Sequence, residues 1–353
     1  MPFSTPASKK FKVAIIQMKP KPLDPDHNFS VATSHIRTAA SQGASLAILP
    51  EYHLSGWEPD SPEFIPIARK AHRYQKAYQD LAAELKINIC AGTIVQTPPD
   101  DLPSESIASD ATSAEPETIN GEEDEKPTLL NISPFISDQG ELLGTYIKTN
   151  IWIPERAHLT SSVDWHKRAD SSSQPQPAPS KHPNNMKHAG VAHDEPYESS
   201  ASKPHQVIQT SLGKVGLLIC WDLAFPEAFR SLVHQGVNLI LIPTYWTAFD
   251  MKPEGLKINP DAEKLFLEST LVARAFENTC TVIFCNAGGP KEEGFLGLSG
   301  VYAPIAGRIE GSFTDEEEGL RIVEVDLGIN DVAEDNYKVR EDLEGETWHY
   351  GKY

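Results

Sequence analysis

The feature that most constrains this chain is that its apolar runs are short and that helical patterns separate them. Leu46–Leu49 and Val237–Pro243 are strand-sized, well below the ~18 apolar residues of a membrane-spanning helix. Segments 28–43 and 261–278 space their apolar residues as helices do. We expect the second of these helices to turn three apolar side chains toward the core: Leu265, Val272 and Phe276. Strands alternating with helices predict an α/β fold with a mixed sheet and helices outside it.

Polar segments interrupt this pattern twice. Residues 97–127 are acidic and rich in Pro, Ser and Thr, and residues 165–204 are rich in Pro, Ser and His. Such compositions do not form a packed core, so both predict solvated insertions within one domain spanning 12–330. Residues 1–11 are predicted to be a disordered leader. Residues 331–353 are predicted to be an acidic tail whose aromatic side chains pack at a subunit interface.

The charge of the chain is concentrated in two places. The 353 residues include 31 Lys and Arg and 50 Asp and Glu, for a net charge of −19, and residues 100–126 and 315–353 carry −9 each. The remainder is nearly neutral and has no broad basic face, which argues against nucleic acid and anionic membranes as partners. We therefore interpret the net charge as favouring solubility and draw no conclusion from it about the charge of the substrate.

The cysteine content and the first residues bear on the compartment. Four cysteines in 353 residues are too few for a disulfide scaffold. The N-terminal segment is short, polar and basic, and the apolar run that follows it is too short for a signal peptide. Together these observations predict a cytoplasmic protein.

Three reactive residues come directly after apolar runs: Glu51, Lys148 and Cys220. Ligands of α/β sheets bind beyond the carboxyl ends of strands, so these side chains are candidates for one site. A helix N-terminus and a nearby Lys148 would lower the pKa of a Cys220 thiol. Glu51 could serve as general base and Lys148 could stabilise an oxyanion. Singly, each residue also fits a plain structural role, as a buried cysteine or a solvated charge at a strand end.

Other chemistries lack their motifs. The chain has no His-Glu-x-x-His and no paired Cys-x-x-Cys, which disfavours a metalloenzyme. It also lacks Gly-x-Ser-x-Gly and any phosphate-binding or dinucleotide-binding glycine motif, which disfavours a serine hydrolase and a nucleotide-binding enzyme.

The sequence around the three reactive residues forms motifs in a fixed order. These are Leu49-Pro50-Glu51 with Gly56 and Trp57, then Gly144-Thr145-Tyr146-Ile147-Lys148 followed by Glu155-Arg156, then Gly216–Asp222 with Phe225-Pro226-Glu227. Segments 273–278 and 286–289 continue the match. Together they resemble the nitrilase superfamily of carbon–nitrogen hydrolases, from about Lys12 to Val325 with the two insertions between.

This resemblance carries several expectations. It implies an α/β fold of the four-layer αββα type, with two mixed sheets between helices, and a homodimer or higher homo-oligomer. It implies a catalytic triad of Glu51, Lys148 and Cys220, with Glu155 as an auxiliary glutamate. The Trp221 backbone N–H would join Lys148 in holding the oxyanion. It implies hydrolysis through a thioester, with no metal and no organic cofactor.

The substrate class is narrowed by departures from the family pattern. Nitrilases usually carry Glu two residues after the cysteine, where this chain has Asp222, and many relatives have Arg at the position of Ala224. Asp222 favours a small amide or carbamoyl substrate over a nitrile, whereas Ala224 indicates a different local packing or salt bridge around the nucleophile. A nitrilase and a catalytically silent scaffold on the same fold stay open as alternatives. Aromatic candidates for the substrate pocket, which could equally pack in the core or at a dimer interface, are Trp57, Trp152, Tyr245 and Trp246.

Overall fold

The computed structural model describes residues 10–98, 127–172, 205–346 and 348–350. Within them the strands, numbered in chain order, form two sheets. The first sheet contains β1 (Lys10–Gln17), β2 (Leu46–Ile48), β3 (Asn88–Cys90), β4 (Ile94–Gln96), β5 (Leu130–Ile136), β6 (Leu142–Ile147) and β13 (Gly319–Asp326). The second contains β7 (Val207–Thr210), β8 (Gly213–Leu217), β9 (Leu239–Thr244), β10 (Thr281–Asn286), β11 (Gly300–Ala303) and β12 (Gly307–Arg308).

Both sheets are mixed. The first runs β13-β1-β2-β3-β5-β4, with β6 beside β5, and the second runs β12-β11-β10-β9-β8-β7. The central strands β1-β2-β3 and β8-β9-β10 are parallel, and their outer neighbours pair antiparallel. Each parallel core therefore directs several strand ends toward one edge, where ligand sites of α/β sheets lie.

The helices lie outside the two sheets. They are α1 (Pro25–Ser41), α2 (Phe64–Arg69), α3 (His72–Leu85), α4 (Ser162–Ser172), α5 (Pro226–Val233), α6 (Pro253–Ile258), α7 (Ala262–Glu277), α8 (Gly328–Tyr337) and α9 (Val339–Glu344). At the start of α1, the Asp24 carboxylate accepts a hydrogen bond of 3.2 Å from His27 N, which satisfies one free donor of the first turn. In the described ranges, every helix is too short or too polar to cross a membrane.

Strand β1 shows how the layers stack. Val13 and Ile15 belong to the core shared with the second sheet, whereas Ala14 and Ile16 belong to the core beneath α1 and α3. Because successive side chains of a strand point to opposite faces, a strand buried on both faces is apolar throughout. Helices α5 and α7 cover the far side of the second sheet. The result is the four-layer αββα sandwich expected from the sequence.

The buried face of α7 differs from the one expected. Leu265, Val272 and Phe276 are 59%, 40% and 42% exposed, so the prediction that they face the core is wrong. The buried positions are Leu267, Leu271 and Ala275. The buried face and the exposed face of this helix both carry apolar residues at helical spacing, so the spacing alone does not show which face is buried. Helix α7 therefore buries one apolar face and exposes a second.

The predicted boundaries shift where helices and strands continue through them. Lys10 and Phe11, placed in the leader, pair with β13 as part of β1. Helix α4 extends to Ser172, inside the predicted insertion of 165–204. The rest of that insertion, residues 99–126 of the other, and residues 1–9 lie outside the described residues.

The predicted tail of 331–353 begins inside a helix. The boundary at 330 falls within α8, whose Asn330 and Ala333 are buried. In the following α9, Arg340 Nη2 donates to Val237 O at 2.7 Å and to Thr279 O at 3.3 Å. Residues up to 346 are therefore part of the folded unit, and residues 347 and 351–353 lie outside the description.

Candidate active site

Cys220 follows β8 and opens a 3₁₀ helix over Cys220–Ala224. Its φ of +45° lies in the left-handed region, which costs free energy for a residue with a Cβ and often occurs at functional sites. The Sγ atom lies 3.9 Å from Tyr245 O, and the backbone N–H of the same Tyr245 donates to Glu51. The turn after β8 thus presents the thiol at a strand end.

Glu51 is fully buried at the end of the segment that follows β2. Its Oε1 accepts hydrogen bonds of 2.8 Å from Asn131 Nδ2 and from Lys148 Nζ, and its Oε2 accepts one of 3.0 Å from Tyr245 N. Three donors therefore fix the orientation of this carboxylate. Asn131 was not among the predicted site residues. A polar side chain inside the apolar run of β5 could have indicated it, because buried polar groups need hydrogen-bond partners.

Lys148 joins Glu51 to Glu155. Its Nζ donates to Glu51 Oε1 at 2.8 Å and to Glu155 Oε1 at 2.7 Å, and its side chain is 0% exposed. Glu155 also accepts hydrogen bonds from the Tyr52 hydroxyl and, at 2.9 Å, from Trp152 N. Two of the three N–H bonds of Lys148 are thus used by carboxylates that are themselves held in place.

The pKa values of this cluster follow from burial and mutual charge. Burial raises the pKa of Glu51 to about 7, although the Lys148 ammonium opposes that rise. Burial opposes the protonation of Lys148, but the charges of Glu155 and Glu51 outweigh it and raise the pKa of Lys148 well above its usual value. Lys148 is therefore the permanent cation of the site, and Glu51 is poised to exchange a proton near neutral pH.

The thiol differs from the sequence expectation. Burial, and after it the charge of Glu51, raise the pKa of Cys220 well above its usual value, so the prediction of a lowered thiol pKa is wrong. Two carboxylates already balance the charge of Lys148. Cys220 also begins a 3₁₀ turn, whereas α5 starts only at Pro226. The resting thiol is therefore protonated and needs a base to become a nucleophile.

A buried carboxylate two residues after Cys220 ties this turn to the segment beyond β6. Asp222 Oδ2 accepts hydrogen bonds of 2.8 Å from the Tyr146 hydroxyl and 2.9 Å from Ile219 N. Its Oδ1 accepts bonds of 3.1 Å from Asn150 N and 2.8 Å from Asn150 Nδ2. Asp222 thereby fixes the cysteine turn against the segment that carries Lys148.

Cys220 opens into a cavity of about 220 Å³. The lining residues are Trp152, Glu155, Cys220, Trp221, Tyr245, Trp246, Asp250 and Glu263. Three of the four aromatic pocket candidates are in this set. The fourth, Trp57, stacks on Tyr52 with ring centroids 4.7 Å apart and so packs behind Glu155. Asp250 and Glu263 were not foreseen, because no motif surrounds them.

Trp221, whose backbone N–H is predicted to hold the oxyanion, also lines the cavity. It lies in the first turn of the 3₁₀ helix that begins at Cys220, where backbone donors lack partners within the helix. Among the described residues, no group of three or more His, Cys, Asp or Glu side chains is placed to hold a metal ion. The site thus combines a thiol, a buried ammonium and two glutamates.

Comparison with known proteins identifies the family. The carbon-nitrogen hydrolase family model matches residues 12–332, and the chain belongs to this family of the nitrilase superfamily and is a carbon–nitrogen hydrolase. It is 25% identical to a probable nitrilase of Schizosaccharomyces pombe, over 90% of this chain and 89% of the relative. It is also 25% identical to a deaminated glutathione amidase of Synechocystis, over 78% of this chain and 76% of the relative.

The fold has solved counterparts. The crystal structure of Saccharomyces cerevisiae Nit3, a member of branch 10 of the nitrilase superfamily, matches with a TM-score of 0.63 and 18% identity. The match covers 93% of this chain and 94% of that one. The family and the α/β architecture predicted from the sequence are confirmed.

Proposed function

We propose that this protein is a cysteine-dependent amidase that hydrolyses a small amide or carbamoyl compound through a thioester. The observation that carries the proposal is the buried hydrogen-bonded cluster of Glu51, Lys148 and Glu155. This cluster meets Cys220 at the backbone of Tyr245 and in the cavity that Glu155 and Cys220 both line. The cluster lies at a cavity large enough for a small substrate. Similarity to a protein named as an amidase supports the same reaction class.

The first half of the reaction forms the thioester. Glu51 takes the proton of the Cys220 thiol as Sγ attacks the amide carbon, because the thiol does not ionise unaided. The oxygen of the tetrahedral intermediate receives the third N–H bond of Lys148 and the N–H of Trp221. The C–N bond then breaks, and Glu51 returns its proton to the departing nitrogen, which leaves as ammonia or an amine.

The second half releases the acid. Glu51, again a carboxylate, removes a proton from a water molecule as the water oxygen attacks the thioester carbon. The same two donors hold the second oxyanion. The C–S bond breaks, Glu51 gives its proton to Sγ, and the carboxylic acid leaves. A base with a pKa near neutrality suits both directions of proton transfer. Every proton transfer of this cycle passes through Glu51, which exchanges protons with Cys220, the departing nitrogen and the attacking water.

The test compares two buried cysteines. Cys220→Ala should abolish ammonia release from a panel of amides and carbamoyl amines, while Cys280→Ala, in the core, should retain it. Mass spectrometry should find the acyl adduct on Cys220 alone. Ammonia release that persists in Cys220→Ala would refute the mechanism. A wild-type protein that turns over no panel member and forms no adduct would favour the silent scaffold.

The second candidate function is that of a nitrilase, and a matched pair of substrates distinguishes it from an amidase. Hexanamide and hexanenitrile share one carbon skeleton, so the ratio of their kcat/KM values isolates the reacting group. We expect hexanamide to be preferred, since a tetrahedral oxyanion from a carbonyl fits the donors Lys148 and Trp221. Preference for the nitrile would reverse the assignment.

We further propose a homodimer formed through α7 and α8. Leu265, Val272 and Phe276 are exposed on α7, and Val332 and Tyr337 are exposed on α8. The rings of Phe276 and Tyr337 lie 4.9 Å apart, so the exposed apolar side chains of the two helices meet at this pair. We call these five residues the outer face of α7. A second copy is the occupant that we propose for it, because contiguous exposed apolar patches mark association sites.

We propose a cytoplasmic location for the protein. All four cysteines are free thiols, as expected of a protein kept in a reducing compartment.

A further inference from the structure

Two carboxylates outside the catalytic cluster line the same cavity, those of Asp250 and Glu263. Asp250 accepts hydrogen bonds of 2.7 Å and 3.1 Å from the hydroxyl and the backbone N–H of Thr247. Glu263, on α7, accepts one of 2.7 Å from Trp246 Nε1. These bonds hold both side chains in place, and each carboxylate oxygen has lone pairs left for a further donor.

In the part of the chain that the structure describes, neither carboxylate has a cationic partner. Within the residues that the structure describes, Asp250 and Glu263 form no ion pair, and the cavity lining contains no Lys, Arg or His. Burial raises the pKa of Asp250 to about 6, and the charges of Glu263 and Glu155 add to the rise, so Asp250 is mainly ionised at neutral pH. Lys148 is already matched by Glu51 and Glu155. The cavity thus holds an excess of negative charge.

The aromatic lining is an independent observation that favours the same kind of ligand. Trp152, Trp221, Tyr245 and Trp246 all border the cavity, and the rings of Trp221 and Trp246 lie 5.4 Å apart. The faces of aromatic rings attract cations, and rings grouped around a cavity are a recurring site for ammonium groups. Carboxylates and indole rings together suit an organic cation better than a neutral or anionic group.

We propose that the substrate carries an ammonium group, separated by a short carbon chain from the amide that Cys220 attacks. This inference rests on the proposed amidase function and names its substrate class, amides that carry an ω-ammonium group. Asp250 and Glu263 act as specificity-determining residues that bind the ammonium group, with the aromatic rings around the chain. An ω-carboxylate in the same place would face two like charges.

The first experiment measures kcat/KM for three compounds of matched length: 5-aminopentanamide, hexanamide and adipamate. We expect the cationic amide to exceed neutral hexanamide by about 10- to 100-fold, the range for a hydrogen bond between charged groups. Adipamate should be the poorest. Equal values for the cationic and neutral amides, or a preference for adipamate, would overturn the inference while leaving the amidase function intact.

Variants assign the preference to its residues. Asp250→Asn and Glu263→Gln should each lower the ratio of kcat/KM for the cationic amide to kcat/KM for hexanamide by about tenfold, mainly by raising the KM of the cationic amide. Glu254→Gln removes an exposed carboxylate of α6 outside the cavity lining and should leave the ratio unchanged. An unchanged ratio in both cavity variants would refute their role.

A binding measurement keeps the inference testable if no amide is turned over. In Cys220→Ala, n-pentylammonium should alter the tryptophan fluorescence saturably, because three indole rings line the cavity. Pentanol and pentanoate should bind more weakly, and Asp250→Asn combined with Glu263→Gln should remove the difference. Failure of turnover with this selectivity retained would count against the amidase alone. Absence of the selectivity would count against the cation site.

Discussion

At the scale of single residues, the site is built around one proton rather than a preformed thiolate. Glu51 and Cys220 both have raised pKa values, because burial disfavours their charged forms. Lys148 supplies the positive charge, but Glu51 and Glu155 already neutralise it. The attacking thiolate therefore forms only as the proton moves to Glu51.

The need for an ionised Glu51 predicts that kcat/KM falls at acid pH. With hexanamide, which does not titrate in this range, kcat/KM should fall about tenfold per pH unit below pH ~7, because Glu51 must be ionised to accept the thiol proton. Alkylation of Cys220 by iodoacetamide, followed from pH 5 to pH 8, should show the same fall. A flat profile in both measurements would contradict the role of Glu51.

Asp222 gives a second prediction at this scale. Four donors converge on its carboxylate. Asp222→Asn replaces one acceptor oxygen with an amide N–H₂ group, which then faces hydrogen-bond donors. We expect a loss of about 2–4 kcal/mol in the free energy of unfolding and a fall in kcat/KM from the displaced Cys220 turn. Urea unfolding and amide hydrolysis measure both.

The matched control for this change is Asp335→Asn, on an exposed position of α8. It should change neither quantity appreciably, because exposed ion pairs contribute little. If Asp222→Asn behaved like this control, the buried network would have no positioning role.

The residues that sequence reasoning found and those that it missed differ for a physical reason. Glu51, Lys148 and Cys220 follow strands, and strand ends can be read from apolar runs. Asp250 lies in a loop, and the path of that loop brings it to the cavity. Glu263 faces the cavity because of the way α7 is oriented about its axis. Their contacts join chain segments whose relative placement local patterns do not encode.

At the scale of elements, α7 shows the limit of a helical period. Its buried and exposed faces are both apolar, and the pattern alone favoured the exposed face. The sheets, in contrast, were predictable, because strands buried on both faces leave continuous apolar runs. Two apolar faces on one helix indicate two partners: the sheet beneath α7 and, as proposed, a second copy of the chain.

The outer face of α7 carries a prediction about self-association. Phe276→Asp places a charge at a half-exposed apolar position, and burying that charge in an interface would be unfavourable. We expect the dissociation constant of the dimer to rise at least about tenfold, measured by sedimentation velocity across a concentration series. Ser30→Asp, an exposed change on α1 in the opposite helix layer, should leave it unchanged. Equal association of wild type and Phe276→Asp would exclude this face.

At the scale of the whole molecule, the C-terminal helices close the sandwich rather than trail from it. Arg340 of α9 donates to Val237 O, Thr279 O and, at 3.2 Å, Thr279 Oγ1. These acceptors lie next to β9 and β10 in the second sheet. The acidic composition of this segment suggested a solvated tail. Composition does not reveal that a basic side chain, Arg340, anchors the segment to the sheet.

The anchoring predicts a measurable contribution to stability. Arg340→Met keeps much of the side-chain volume but leaves backbone acceptors without their donor. We expect a loss of about 1–3 kcal/mol in the free energy of unfolding, measured by urea denaturation followed by circular dichroism. Lys70→Met, at an exposed position after α2, serves as the control. Equal midpoints for both variants would show that α9 contributes nothing through Arg340.

Helix α7 connects the outside of the molecule to the cavity. Glu263 and Phe266 on this helix both contact Trp246 in the cavity wall, while the outer face of α7 points away from it. A neighbouring subunit that restrains α7 would also fix Glu263, and by reciprocity a ligand that fixes Glu263 would favour association. Activity per molecule should then decline on dilution, as subunits separate and the wall of the cavity loosens.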